Sequence, residues 1–159
     1  MAPEATRGGA KGVLGAASLV AASAVVQAWP LVRSPWHSLP PHPDPLFSIW
    51  RITWVVRWLA PPVGRLFDAN ISHPAPLTLA LSDATLVQAL AAAPLLWAGV
   101  GSVTTYNLLV LLGHVTSGTG MYWCARRCGT GWAGAALAAY VFAFAPYRVE
   151  QAMHLEMLW

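Results

Sequence analysis

The apolar run at residues 12–29 carries no charged side chain, and it constrains the fold more than any other part of the chain. A helix of this length rises about 27 Å, close to the roughly 30 Å hydrocarbon core of a bilayer. Hydrophobic residues make up 57% of the 159 residues and charged residues only 9%. Soluble domains usually carry about 25% charged residues. The composition therefore predicts an all-α integral membrane protein.

Two interpretations of the apolar run stay open. A retained transmembrane helix fits its length, because the apolar core of a signal peptide usually has only about 7–15 residues. A cleaved signal peptide fits the small residue Ala28, after which cleavage would remove the run. Arg7 and Lys11 precede the run, so the positive-inside rule places the N-terminus in the cytoplasm if the helix is retained.

Two further apolar segments lie in the second half of the chain, and a short hairpin that contains Arg126 and Arg127 joins them. Positive charge in a short loop favours the cytoplasmic side. The sequence thus predicts three transmembrane helices. The predicted boundaries are a cytoplasmic tail at 1–11, spans at 12–30, 103–124 and 132–147, an external loop at 31–102, a cytoplasmic hairpin at 125–131 and the start of a second external loop at 148–159.

The long external loop carries two segments that predict helices lying in the membrane interface. The first, at about 46–60, places three tryptophans four residues apart and therefore on one helical face. These tryptophans are Trp50, Trp54 and Trp58. Tryptophan prefers the headgroup level of a bilayer. The second, at about 83–97, is too short to cross and return, and Pro94 is expected to break it. One more transmembrane helix at 86–101 is the alternative.

A single carboxylate, Asp44, lies between two prolines directly before the tryptophan segment. At a membrane surface it suits a general base that deprotonates an acceptor hydroxyl. A structural role fits as well, because an aspartate followed by proline often marks the start of a helix and can cap it. Arg51 lies two helical turns further on, so an ion pair between Asp44 and Arg51 is a further hypothesis.

Other polar residues of the loop have both a functional and an ordinary interpretation. Arg51 can hold a lipid phosphate, for which a guanidinium group is well suited, or lie among headgroups. Asp83 can face the site as a second acidic group or cap the following helix. His42 and His73 lack the spacing of metal ligands, so the sequence predicts no metal site from them. The basic residues are spread out, which argues against nucleic acid as a partner.

Polar residues recur in the second span and after the third. Asn107 and His114 lie seven apart on one face of the second span, which favours a hydrogen bond between helices. Arg148 and Glu150 are expected near the same outer surface as Asp44. The titratable residues that return to the outer side after the third span are Arg148, Glu150, His154 and Glu156.

The order of several short motifs resembles the amino-terminal part of a known membrane family. The motifs are PDP at 43–45, IWRITW at 49–54, LFDANI at 66–71, HPAPLTLA at 73–80, YNL at 106–108 and FAFAPYR at 142–148. Together they look like bacterial multispanning proteins of the GT-C glycosyltransferase type, including the uncharacterised relatives of mannosyltransferases and arabinosyltransferases.

The resemblance implies transfer of a sugar from a polyprenyl-phosphate donor to an acceptor on the outer face of the bacterial plasma membrane. It implies that Asp44 is a general base or a metal-associated carboxylate, so a divalent metal is a candidate cofactor. It adds Arg148 to Arg51 and Asp83 as candidate substrate-binding residues. Members continue through many more helices, which implies that the bilayer and missing downstream helices are partners. The alternatives are a non-enzymatic membrane protein, such as a transporter or envelope assembly component, and a secreted, signal-cleaved product.

Overall fold

The structure is a computed structural model that describes residues 3–60 and 64–159, with side chains from residue 10 onward except at residue 30. Every regular element within these residues is helical, so the predicted all-α class is confirmed. The α-helices are α1 (Pro3–Gln27), α2 (Trp29–Arg33), α3 (Asp44–Leu59), α4 (Leu86–Trp97), α5 (Ser102–Arg127), α6 (Trp132–Ala143) and α7 (Pro146–Glu150). Two 3-10 turns cover Thr78–Leu81 and Leu155–Met157.

One helix in the described part of the chain, α1, is both long and apolar enough to cross a membrane, over Ala10–Gln27. Only 17% of that window is buried, so most of α1 faces outward. The 26 residues of α5 give it the length but not the hydropathy, because polar side chains interrupt it. The 12 residues of α6 rise about 18 Å, short of the roughly 30 Å hydrocarbon core. Three transmembrane helices are therefore not confirmed.

Helices α1, α5 and α6 pack together through small side chains, and we call this region the small-residue bundle. Its buried apolar residues are Ala16, Val20, Tyr122, Ala135, Ala139 and Ala143. Gly118 of α5 lies where a Cβ would stand 2.9 Å from Val20 Cγ2 and 3.2 Å from Ala143 Cβ. Only a glycine allows the helices to approach this closely, a kind of packing that is common between helices in membranes.

Helices α3 and α4 pack with the first half of α5 and with the C-terminal segment (residues 151–159) around larger side chains. We call this region the tryptophan core. Its fully or nearly fully buried members include Ile52, Val55, Val56, Leu79, Ala89, Tyr106, Leu109, Leu155 and Leu158, and Trp50, Trp54 and Trp159 pack against them. Because Leu155 and Leu158 are among the most buried side chains, the C-terminal segment is part of this core rather than an extension of α6.

The tryptophan face of α3 is directed at the loop that follows the helix. The hydrogen bonds run from Trp50 Nε1 to Asn70 Oδ1 at 3.1 Å, from Trp54 Nε1 to the Leu66 carbonyl at 2.8 Å and from Trp58 Nε1 to the Gly64 carbonyl at 3.3 Å. The common helical face predicted from the spacing is confirmed. Its N–H groups have protein acceptors, and these bonds tie the loop back onto α3.

Several helix boundaries differ from the predictions because of where the prolines fall. Pro94 lies inside α4, and the helix continues to its end at Trp97, so the predicted break is wrong. A proline removes one backbone hydrogen bond, and here less than one further turn follows it. The predicted span at 132–147 ends at Ala143, because Pro146 starts α7 as one of its first residues.

A tight turn at residues 128–131, within the predicted hairpin at 125–131, joins α5 to α6, and its cytoplasmic position stays a prediction. Gly129 has a φ of +87°, the left-handed conformation that commonly ends a helix. Its amide donates to the Arg126 carbonyl at 3.2 Å, and the Thr130 amide donates to the Ala125 carbonyl at 3.1 Å. The guanidinium of Arg126 also donates to the Thr130 carbonyl at 2.7 Å, so the turn is well supplied with hydrogen bonds.

Candidate functional site

Three titratable side chains meet where the loop before α3 touches the C-terminal segment. Asp44 is the first residue of α3, and Pro45 follows it at a position where a helix needs no amide hydrogen. Its Oδ2 atom lies 3.3 Å from Nδ1 of His42 and in direct contact with Nε2 of His154. One carboxylate oxygen thus lies between two imidazoles. We call these three residues the His–Asp–His cluster.

The His–Asp–His cluster is open to the surroundings. The side chains of His42, Asp44 and His154 are 43%, 33% and 26% exposed. The two imidazole rings meet edge to face, with centroids 5.8 Å apart. One ligand atom from each residue lies within 4.8 Å of the others. A small molecule or ion can therefore reach all three groups at once.

Arg51 lies on the same face of α3 as Asp44, two turns further along the helix, and is only 3% exposed. Its Nη2 atom donates to Ser48 Oγ at 3.0 Å and to Glu156 Oε2 at 3.1 Å. Its Nη1 atom donates to the Asp83 backbone carbonyl at 2.9 Å. The guanidinium also lies over the ring of Phe47, 4.8 Å from its centroid. The buried charge is thus paired with Glu156 and hydrogen-bonded through both Nη atoms, whereas its Nε has no partner among the described residues.

Two pairs of an acidic and a basic residue join α3 to the C-terminal segment. In one pair α3 supplies the acidic residue, and in the other it supplies the basic one. Asp44 meets His154, and Arg51 meets Glu156. The partners are more than a hundred residues apart in sequence, and the two contacts are spaced along one helical face. This pairing aligns the segment along α3, and it brings the second imidazole to the carboxylate.

The structure changes which of the returning residues belong to the site. The sequence favoured Arg148 and Glu150 as neighbours of the Asp44 surface, whereas His154 and Glu156 make the contacts with α3. In the sequence, His154 and Glu156 stand out only as two titratable residues, two positions apart, near the end of an apolar stretch. Nothing local in the sequence indicates that this segment folds back onto α3.

Arg148 has its partners in the bundle and the C-terminal segment. Its Nη2 atom donates to Ser117 Oγ at 2.8 Å and to the Leu158 carbonyl at 2.8 Å. The guanidinium lies 5.0 Å from the centroid of the Phe142 ring. Burial lowers the pKa of Arg148 from its ordinary value. These contacts anchor the end of the chain to α5, and its predicted substrate-binding role stays a prediction.

Asp83 has an exposed side chain, and α4 begins three residues later at Leu86. The capping position belongs to Thr85, whose φ is 48°, so the alternative that Asp83 caps this helix is wrong. Asp83 instead lines a cavity of about 310 Å³ together with Gln88, Glu156 and Trp159. The cavity adjoins the Arg51–Glu156 pair, and the role of Asp83 in substrate binding stays a prediction.

The structural alternatives for Asp44 are also corrected. The capping position of α3 is Pro43, and Asp44 makes no capping hydrogen bond with its side chain. Arg51 pairs with Glu156 rather than with Asp44, so the hypothesis of an Asp44–Arg51 ion pair is wrong. The carboxylate still benefits from lying in the first turn, where the helix dipole favours negative charge.

Two buried polar residues of α5, Asn107 and His114, lie within hydrogen-bond distance of backbone carbonyls of other segments. Asn107 is buried, and its Nδ2 atom donates to the Pro35 carbonyl at 2.8 Å and to the Ser38 carbonyl at 2.9 Å. These bonds fasten the proline-rich loop that leads to the His–Asp–His cluster. Nδ1 of His114 lies 3.0 Å from the Ala143 carbonyl, so the predicted hydrogen bond between helices is confirmed for His114, whereas Asn107 bonds to a loop instead.

No protein-family model, curated protein or solved structure matches this chain. The resemblance to GT-C glycosyltransferases therefore stays an expectation.

Proposed function

We propose that the protein acts in membrane glycosyl transfer, moving a sugar from a polyprenyl-phosphate donor to an acceptor hydroxyl on the outer face of the bacterial plasma membrane. The observation that supports this most is the carboxylate of Asp44, which is accessible and flanked by two imidazoles. The apolar helix α1 ends at Gln27, before the loop that leads to Asp44, and it supports attachment to the membrane. In this proposal the N-terminus is cytoplasmic.

Asp44 serves as the general base in the proposed reaction. The acceptor oxygen attacks C1 of the donor sugar, and the bond from C1 to the phosphate oxygen breaks. The polyprenyl phosphate leaves with the electron pair, and the acceptor proton moves to Asp44. A base needs a free oxygen within hydrogen-bond reach of that proton, which an exposed carboxylate offers. His154 positions the carboxylate through its contact with Oδ2, and His42 holds the start of α3 by accepting a hydrogen bond from the Asp44 amide at Nδ1.

The sugar of the donor has a candidate position in the cavity beside α4. Asp83 and Glu156 line it with carboxylates, which accept hydrogen bonds from sugar hydroxyls, and Trp159 adds an aromatic side chain. The volume of about 310 Å³ lies at the lower end of the range for small-molecule sites. We propose Arg51 and Arg148 as positioning residues, because both hold the C-terminal segment that carries Glu156 and His154.

Replacement of the base is the direct test. In membranes that contain the protein, Asp44→Asn should lower transfer from radiolabelled polyprenyl-phosphate mannose or arabinose about 100-fold or more, because the amide cannot take a proton. Asp68→Asn is the matched control: Asp68 Oδ1 accepts a hydrogen bond from the Leu77 amide at 2.8 Å, which an asparagine oxygen can also accept. The control should transfer sugar at the wild-type rate.

Two outcomes would overturn the proposed function. The first is transfer by Asp44→Asn at the wild-type rate. The second is the absence of transfer from either donor above the level of membranes without the protein. The second outcome would favour the non-enzymatic alternative, a transporter or envelope assembly component, because the contacts of Arg51 and Glu156 also suit a purely structural role.

A further inference from the structure

The arrangement of lone pairs in the His–Asp–His cluster is unfavourable without a positive charge between them. The backbone amide of Asp44 donates to Nδ1 of His42 at 3.3 Å. To accept that bond, Nδ1 must carry a lone pair, and the proton of the neutral ring is then on Nε2. The same Nδ1 lies 3.3 Å from Oδ2 of Asp44, so two acceptors face each other. A cation between them turns this repulsion into attraction.

The separation of His42 Nδ1 from Asp44 Oδ2 fits a small divalent ion, and a shift of the His154 ring away from the same oxygen would make room for it. Tetrahedral coordination with bonds of about 2.1 Å separates neighbouring ligand atoms by roughly 3.4 Å. The His42 Nδ1 and Asp44 Oδ2 atoms are 3.3 Å apart, and all three ligand atoms of the cluster lie within 4.8 Å of one another. Nε2 of His154 contacts the same oxygen, and its Nδ1 is buried without a partner among the described residues. The polar contact of that ring is therefore directed entirely at the cluster.

The donor set selects the kind of metal. Two imidazole nitrogens and one carboxylate oxygen suit Zn²⁺ and its close relative Co²⁺, whereas Mg²⁺ and Ca²⁺ prefer oxygen ligands. Three protein ligands leave a fourth position for water or a substrate oxygen, as in catalytic rather than structural zinc sites. The exposure of 26% to 43% of these side chains provides the entry path.

We propose that His42, Asp44 and His154 bind a divalent transition-metal ion, Zn²⁺ or an ion of similar chemistry. The proposal rests on the geometry of the cluster and not on the sugar transfer proposed above, and each has its own readout. A bound ion would join the start of α3 to the C-terminal segment. It would therefore stabilise the folded chain by an amount that rises with metal concentration.

Metal titration of the purified, chelator-stripped full chain tests the proposal. Co²⁺ is the probe, followed by its visible absorption when bound, and Zn²⁺ is then added as the competitor. The background is Cys124→Ser/Cys128→Ser, because these two exposed thiols are an alternative place for the ion to bind. We expect one equivalent to bind, and His42→Ala or His154→Ala to raise the Kd at least about tenfold. The matched control, His73→Ala, removes an exposed histidine outside the cluster and should leave the Kd unchanged.

A second measurement uses the unsubstituted histidines and does not depend on how the variants fold. Zn²⁺ should protect His42 and His154 from carbethoxylation by diethyl pyrocarbonate, read by mass spectrometry, while the exposed His37 and His73 react at the same rate with and without the metal. Equal reaction rates at His42 and His154 with and without Zn²⁺ would overturn the proposal. So would an unchanged Kd in both cluster variants.

Discussion

The small-residue bundle and the tryptophan core solve the same packing problem in opposite ways. The bundle brings helices together by removing side-chain volume, with alanines at its centre and Gly118 at the closest approach. The tryptophan core fills its interior with large side chains and also buries Arg51 together with its hydrogen-bond partners. The bundle should therefore be sensitive to added volume, and the tryptophan core to the loss of a polar partner.

The two regions also differ in the polar groups at their surfaces. Both expose large apolar side chains, the bundle on α1 and α6 and the tryptophan core on α4, where Leu86, Val87, Leu90 and Trp97 are 43% to 63% exposed. The exposed large side chains of α1 and α6 are Leu14, Leu19, Val25, Val26, Trp132, Leu137, Tyr140, Val141 and Phe142. The tryptophan core carries the His–Asp–His cluster and the cavity beside Asp83 at its surface. The chemistry thus lies in the region that can afford polar groups, because its core holds them with hydrogen bonds.

The largest effect on stability should come from removing the buried cation of the tryptophan core. Arg51→Met leaves Glu156 without its partner, and breaking such a pair should lower the free energy of unfolding by about 3 kcal/mol. Denaturant titration in detergent measures this. Arg57→Met on the exposed side of the same helix is the matched control and should be close to neutral.

A double variant sharpens the same comparison. Replacing both partners, as in Arg51→Met/Glu156→Leu, removes the unpaired carboxylate as well, so much of the lost stability should return. If Arg51→Met alone is as stable as Arg57→Met, the buried pair does not hold the C-terminal segment, and the contrast between the two regions fails.

The parts of the fold that could be predicted are those with a local signal. The periodic tryptophans predicted α3 and its common face, and the glycine turn with paired arginines predicted the hairpin between α5 and α6. The apolar run from residue 12 predicted α1 as a candidate span. Helix ends were less predictable, because Pro94 is tolerated in the last turn of α4 whereas Pro146 starts a new helix.

Only half of the candidate site could be predicted from the sequence. Asp44 and Arg51 stand out because charges are rare in this chain, but their partners come from the other end of it. His154 and Glu156 reach α3 only because Leu155 and Leu158 are buried in the tryptophan core. Such a contact depends on the tertiary packing of the whole region, and no spacing rule within either segment contains it.

The second-largest effect on stability should come from adding volume to the small-residue bundle. Gly118→Leu should lower the free energy of unfolding by about 2 kcal/mol, because its side chain must displace Val20 and Ala143. Gly120→Leu on the same helix is the matched control, since a Cβ there meets nothing within 4 Å. Thermal unfolding in detergent compares the two. Equal unfolding temperatures for the two leucine variants would show that the helices are not packed as closely as the structure has them.

The smallest effect on stability should come from removing one hydrogen bond of the tryptophan face of α3. Trp54→Phe keeps a six-membered aromatic ring but removes the pyrrole ring and its N–H, which donates to the Leu66 carbonyl, at a cost of about 1 kcal/mol in the free energy of unfolding for the lost hydrogen bond. Trp97→Phe, at a tryptophan that is 60% exposed, is the control and should change stability little. If the two substitutions cost the same in detergent, the bond to the loop contributes nothing, and the face of α3 is better explained by contact with headgroups. A cost confined to Trp54 instead makes the tryptophan face part of the protein interior, so the loop at 64–70 and α3 belong to one stable unit beneath the site.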